Sequence, residues 1–358
     1  MSTEPELHLP VDLLLEIVAH SDVTTVLRCA TASKILRRAI LDPAFGCRLA
    51  AGFDPALLLG VSYRPIHHIH GVDASSHRVI HTPSSTQPRV RLDASSLPDS
   101  FEPLAARDGL LFFRLDYKEL RVWILLPATS ISLPSLGSLC PVYASMRTSF
   151  SLSHGQWGAV RMPSITDMEH QTEPFYWLGA TCPAVMGRTV YLPCCRDGNW
   201  VGWDRIVAMD VDAAAGTIIE LPPGRLMDMN KDTHHLLASV CGFLSLLVVE
   251  RGGISMWTLV PASSAETSAT WSRQLLIDKL GIQRAVGLVD ITIFPFDLEG
   301  FGERSGTLIV RVGKGDLLRL DLGTKVVKRL HNEEGVFVSS VFLHEIDLVS
   351  LLQAMKYF

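Results

Sequence analysis

Between positions 9 and 43 apolar residues recur at helical spacing, in the stretch LPVDLLLEIVAHSDVTTVLRCATASKILRRAILDP. Leu9, Leu13, Leu14, Ile17 and Val18 fall at i, i+4, i+5, i+8 and i+9, which draws one apolar stripe along a first helix. Pro10 suits the first helical position, where a missing N–H costs nothing, and Asp12 complements the helix dipole. Asp22 can cap a second helix with Val26, Leu27 and Ala30 inside. Ser33 can cap a third, with Leu36, Ala39 and Ile40 inside and Arg37 and Arg38 facing water. Asp42 and Pro43 end it, and a short turn through Phe45 and Leu49 can follow. Three helices of about ten residues cannot bury all this apolar surface among themselves. The pattern therefore implies an exposed apolar face, or an attached domain that covers it.

From about residue 57 the helical period gives way to short β-branched and aromatic segments bounded by Gly, Pro, Asp and Ser. Hairpin-like units recur in the spans 108–134, 184–222, 241–259 and 307–330. The spacing predicts a short hinge between about 50 and 57, then a β-rich remainder. Irregular units of a hairpin plus further strands fit propeller blades of ~40–50 residues, which makes about six. A pair of β-sandwiches is the alternative architecture. The tail from Leu343 puts Ile346, Val349, Leu352 and Met355 on one helical face, which predicts a closing helix; 84–88 and 262–270 read as exposed loops.

Composition narrows the function. Of 358 residues 47% are hydrophobic and 19% charged, enough for a large core and little extended disorder. A net charge of −5 argues against general binding to nucleic acid or anionic membrane. The start MSTEPELHLP has no signal-peptide pattern. The longest apolar run, from Leu236 to Val249, is shorter than the ~18–20 residues of a membrane helix and reads as a buried strand pair. Seven cysteines without regular spacing suggest free thiols in a reducing compartment, hence the cytoplasm or nucleus.

Little in the chain points to catalysis. His67, His68 and His70, with His77 and His81 nearby, lack a carboxylate or thiolate to complete a zinc site, so they read as surface or turn histidines. Cys194, Cys195 and Cys182 lack the spacing by which two thiolates share an ion. No nucleophile elbow, P-loop or dinucleotide fingerprint is present, and Ser305 between Gly302 and Gly306 has the spacing of a turn. The expectation is a chain with no catalytic residue, metal or cofactor. Trp200, Trp203 and Arg205 lie in the polar stretch 196–205, whose composition is that of a binding hot spot; a strand-edge cover would look the same.

Leu9, Pro10, Asp12, Leu14, Ile17, Leu27, Lys34, Asp42, Pro43 and Phe45 fall, without a gap, where F-box sequences place such residues. The segment thus resembles the F-box, the helical module by which substrate receptors of Skp–cullin–F-box ubiquitin ligases dock onto the small Skp adaptor. The rest resembles the degenerate F-box-associated β domains of plant F-box proteins. The resemblance implies a multidomain α plus all-β chain: a three-helix F-box at 1–50, and a β-propeller-like domain at 51–358. It implies a non-catalytic substrate receptor that holds the Skp adaptor, and through it cullin. The adaptor-binding residues would be Leu9, Pro10, Leu13, Leu14, Ile17, Val18, Val26, Leu27, Arg28, Lys34 and Leu36. An unidentified target protein would meet the β domain, with Trp200, Trp203 and Arg205 as candidates. The other reading is an interaction module of no ligase, with a degenerate F-box.

Overall fold

The computed structural model describes residues 9–21, 23–42, 45, 53–67, 78–81, 101–107, 110–115, 119–124, 129–132, 150–151, 156–157, 164–165, 176–177, 183–195, 205–210, 213, 215–222, 235–250, 252–261, 269–287, 296–313, 316–331 and 336–345. Three short helices come first: α1 (Val11–Ala19), α2 (Val23–Ala32) and α3 (Lys34–Ile40). Pro10 sits one residue earlier than expected, at the N-cap of α1, with Asp12 in the first turn. Asp22, the expected cap of α2, lies outside the described residues. One residue joins α2 to α3, and its Ser33 hydroxyl accepts the Leu36 amide at 3.4 Å. Arg37 departs from the expectation of facing water. Its Nε donates to the Ala30 carbonyl at 2.8 Å and pins α3 against α2.

Val18, Val26, Ala30, Ile40 and Phe45 form the core of this module, joined by Leu57 and edged by Leu59. Leu57 and Leu59 belong to the start of the β region, so the attached domain does cover part of the helices. Residues 53–57, where a hinge was expected, are seated: the Phe53 ring meets Phe301 edge-on at 6.2 Å.

Strand β1 (Leu58–His67) pairs antiparallel with β2 (Arg78–His81) on one side. Next come β3 (Phe101–Arg107), β4 (Leu110–Leu115), β5 (Glu119–Ile124) and β6 (Thr129–Ser132), a four-stranded meander. The short strands β7 (Phe150–Ser151) and β8 (Gln156–Trp157) pair with each other. β9 (Ser164–Ile165) and β10 (Tyr176–Trp177) flank the sheet formed by β11 (Ala184–Met186), β12 (Thr189–Cys195), β13 (Arg205–Asp210) and β14 (Ala215–Glu220). Two further four-stranded meanders follow. One is β15 (His235–Val240), β16 (Phe243–Glu250), β17 (Gly253–Val260) and β18 (Thr270–Asp278). After α4 (Lys279–Val286) comes the other: β19 (Phe296–Gly302), β20 (Thr307–Val312), β21 (Asp316–Asp321) and β22 (Val327–His331). Last, β23 (Val336–Glu345) returns to pair with β1. Among the described strands the one parallel pairing is β9 with β14. The region is thus β-rich in several antiparallel sheets.

Consecutive sheets pack face to face. One core lies between β11–β14 and β15–β18, a second between β15–β18 and β19–β22, and a third between β19–β22 and the β1–β23 pair. A sheet covered on both faces loses apolar alternation in its inner strands. Hence Leu244–Val248 and Leu308–Val310 are buried without interruption. The run from Leu236 to Val249 is the expected strand pair, turned at Cys241 and Gly242, whose φ values of 50° and 80° suit a two-residue hairpin. Leu343 to Glu345 end β23, so any closing helix could only begin beyond them, outside the described residues.

β23 is locked at its end. The Glu345 carboxylate accepts the amides of Arg304 and Ser305, at 3.1 and 2.7 Å, in the turn between β19 and β20. Gly302 leaves room for it, since a Cβ there would stand 2.2 Å from Glu345 Oε1. Beside it the buried His344 meets Ser62 on β1, Nε2 to Oγ 2.8 Å. Burial holds its imidazole neutral, with the pKa pushed down to about 4. An unfolded chain takes up this proton near pH 6.5. Below that pH the unfolded state binds more protons, so stability falls as pH falls, down to the folded pKa. We expect His344 alone to cost roughly 2–3 kcal/mol between pH 7 and 4.5. Urea unfolding at both pH values, for wild type and His344→Gln, checks this: the variant should lose less. An equal pH response would refute a neutral buried imidazole.

Candidate functional site

The helical module presents its apolar residues on two sides. On α1 Leu13 and Ile17, at i and i+4, stand 53% and 57% exposed, and Leu9, just before the Pro10 cap, stands 51% exposed. About half a turn round, Leu15, Val18 and Ala19 pack into the module core. The expected single stripe therefore splits: Leu9, Leu13 and Ile17 face outward with Pro10, Leu14 is half-buried, and Val18 is internal. Val26 on α2 is likewise internal, with no exposed surface. Of Leu27 only the backbone, within α2, is described. Arg28 and Lys34 are exposed, and Leu36 is half-buried against the core.

Residue-type pattern alone passed over Ile35. It is 65% exposed, the largest value among the exposed bulky apolar residues described. The Ser33 cap and the Arg37 bond fix the α2–α3 corner so that Leu36 turns inward and Ile35 outward. In the sequence Ile35 stands beside Lys34 with Arg38 at i+3 and Ala39 at i+4, a mixed setting that does not decide which way it faces. Exposed cations, Arg28, Lys34 and Arg38, share the module surface with these apolar side chains. Glu16 and His20 approach to 3.3 Å one turn apart on α1, both in solvent.

In the β region, Trp200 and Trp203 lie outside the described residues. Arg205 opens β13, buried, with Nη2 at 3.9 Å from the Glu220 carboxylate directly across the strand pair. That placement gives it a role in joining β13 to β14. Among the described residues no group of three or more His, Cys, Asp or Glu could hold a metal ion. No described helix is long and apolar enough to cross a membrane.

The region that begins on β1 matches, over residues 60–358, the family described as a domain of unknown function, DUF7595. The chain belongs to that family. Residues 7–48 match the F-box domain, which supports an F-box protein. No curated protein matches the chain. Among solved structures it is similar to a dihydro-heme d1 dehydrogenase, NirN, in complex with DHE, at 11% identity and a TM-score of 0.24, over 78% of this chain. The chain spans 44% of that protein's length. It is also similar to apo AztD from Citrobacter koseri, at 11% identity and a TM-score of 0.28, over 76% of this chain and 83% of that one.

The division between inward and outward residues of the DUF7595 chain's helical module can be checked on stability alone. Val26→Ala opens a cavity at a fully buried site and should cost roughly 1–3 kcal/mol. Ile35→Ser and Leu13→Ser should stay within about 0.5 kcal/mol of wild type. Urea midpoints of the three variants measure this, and a large loss at Ile35 would place it in the core.

Proposed function

We propose that this protein is a substrate receptor of a Skp–cullin–F-box ubiquitin ligase and performs no chemistry itself. In this reading residues 1–50 hold the Skp adaptor and, through it, cullin, while residues 51–358 hold the target. The observation that carries it is the exposed apolar row Leu9, Leu13 and Ile17, with Ile35, on a module that matches the F-box. F-box proteins are generally non-catalytic subunits of such ligases. Pro10, Leu14, Arg28, Lys34 and Leu36 border the row, whereas Val18 and Val26 act from inside by holding the helices in register. The work of such a receptor is done in the cytoplasm or nucleus, where cullin ligases act.

For the β region we propose a propeller-like arrangement. Its support is a succession of four-stranded antiparallel meanders packed face to face, with the last strand paired to the first. If all blades run alike, loops after each second strand share one end. The turn between β19 and β20, which follows a first strand, abuts Phe53. In this reading Trp200 and Trp203, in the stretch 196–204 that joins β12 to β13 in sequence, remain the candidates to hold a target.

Interfaces of this class bury on the order of 800 Å² per partner and depend on a few apolar anchors. Replacing Leu13 and Ile17 together by Ser should cost on the order of 2–4 kcal/mol of adaptor binding, a loss of roughly thirty- to a thousandfold. Calorimetric titration with the purified Skp adaptor measures it. No binding by either protein would overturn the ligase reading and leave the helices as an interaction module of another kind.

The target side has its own test. Trp200→Ala with Trp203→Ala should lower recovery of ubiquitinated partners, compared with and without a proteasome inhibitor, and leave adaptor binding unchanged. Unaltered recovery from a folded variant would return both tryptophans to a structural role.

A further inference from the structure

Residues 53–61 serve two cores at once. Leu57 and Leu59 pack with Val18, Val26 and Ile40 of the helices, while Leu58 and Val61 pack with Ile309 and Leu343 of the sheets. The register with β23 slips between Leu58 and Gly60, a bulge at Leu59 that lets Leu59 turn to the helices while Leu58 and Val61 both stay with the sheets, so one short segment delivers both sets. Upstream of it, Phe53 fills the space over Gly306. That residue has φ +63°, and a Cβ on it would stand 2.3 Å from the Phe53 ring. The Asp54 amide donates to the Arg304 carbonyl at 3.1 Å, and Arg319 Nη2 donates to the Pro55 carbonyl at 3.4 Å. Arg304 is also held by Glu345 on β23.

Packing on both sides of one hydrogen-bonded strand leaves no free joint between Asp54 and Val61. We infer that the helical module and the β region form one rigid body, in which β1 completes the helical core and fixes the bearing of the Leu9–Leu13–Ile17 row to the sheets. Phe53, Leu57, Leu59 and Gly306 are the positioning residues. The bearing matters for ligation only if the helices dock an adaptor, as proposed above; the coupling itself stands apart from that reading.

Nitrogen-15 relaxation on the full-length chain tests the coupling directly. Amides of α1, α2 and α3 should report the same rotational correlation time as those of β15–β22, that of a particle of 39.4 kDa. A clearly shorter time for the helices in the wild type would overturn the inference. Hydrogen exchange supplies a second arm. Phe53 packs in the sheet core and not in the helical one. Phe53→Ala should nevertheless speed exchange of the α1–α3 amides, by about tenfold or more, if the module leans on this segment. Faster exchange confined to 301–306, with the helices unchanged, would overturn it. Should Phe53→Ala fail to fold, Leu59→Ser asks the same question from the helical side. Failure of adaptor titration together with a single correlation time would remove the ligase reading and leave the coupling intact.

Discussion

β1 runs antiparallel to β23 along nearly its whole length, from Leu58 opposite Glu345 to His67 opposite Val336. The chain from 68 to 335 separates the two, so this pairing ties the end of the β region to its beginning. Three further features depend on it. Leu343 lies over Gly300, where a Cβ would come within 2.5 Å of its side chain, and so docks β23 on β19. Glu345 holds the turn on which Phe53 sits. The strand so anchored then offers Leu59, with Leu57 just before it, to the helices. A contact of such long sequence separation carries a large loop-closure cost and slows folding.

Burial of both sheet faces is the second constraint, and it decides what each strand can be made of. β20 sends Leu308 and Val310 to the sheet before it and Ile309 to the sheet after it, so four consecutive positions from Thr307 are buried. Polar groups in such places need partners. Asp297 and Glu299 on β19 share Arg311 on β20, and Glu250 gathers Ser255, Trp257 and Arg273 on one sheet. Trp271 joins neighbouring sheets by donating to the Glu220 carbonyl at 2.9 Å. Carboxylates at these points are ion-paired structural groups. Their arrangement explains why acidic residues in a buried β region need not signal catalysis.

Much of this was legible in the sequence because the physics is local. The three helices announce themselves through apolar spacing and the Ser33 cap, and the hairpins after 184 and after 307 through turn residues between β-branched runs. What was hidden is long-range. The stripe on α1 looked continuous, since spacing alone cannot say which part a neighbouring element will cover; Leu57 and Leu59 complete the core that takes Val18. Ile35 was passed over for the same reason. Helix α4 escaped notice because it is eight residues long, with Ile282 the one buried residue among those of its side chains that are described. Its cap by Asp278 and its stop at Gly287, φ 70°, are sequence signals of ordinary kind that a β-rich setting masks. β19 was missed because Gly300 and Gly302 interrupt its apolar pattern, and those glycines exist to admit Leu343 and Glu345 from the far end of the chain.

A receptor of the proposed kind accelerates ubiquitin transfer by proximity, which converts an encounter between two molecules into a reaction within one assembly. The gain depends on how well the connection matches the distance to be spanned, and it vanishes if geometry forbids both contacts at once. A flexible joint would spread a bound target over many positions, each with a small effective concentration at the transfer site. A stiff one concentrates the target in few positions, with a large gain for lysines lying there and almost none elsewhere. Leu57, just before β1, and the bulged Leu59 packed on the helices, with Leu58 and Val61 packed on the sheets, put this chain in the stiff class on the coupling inferred above. Selection would then act twice: once through the loops that hold the target, and again through which of its lysines the fixed bearing brings within reach. On this argument a substitution at Phe53, far from any partner surface proposed here, changes which lysines are modified while leaving both binding steps in place.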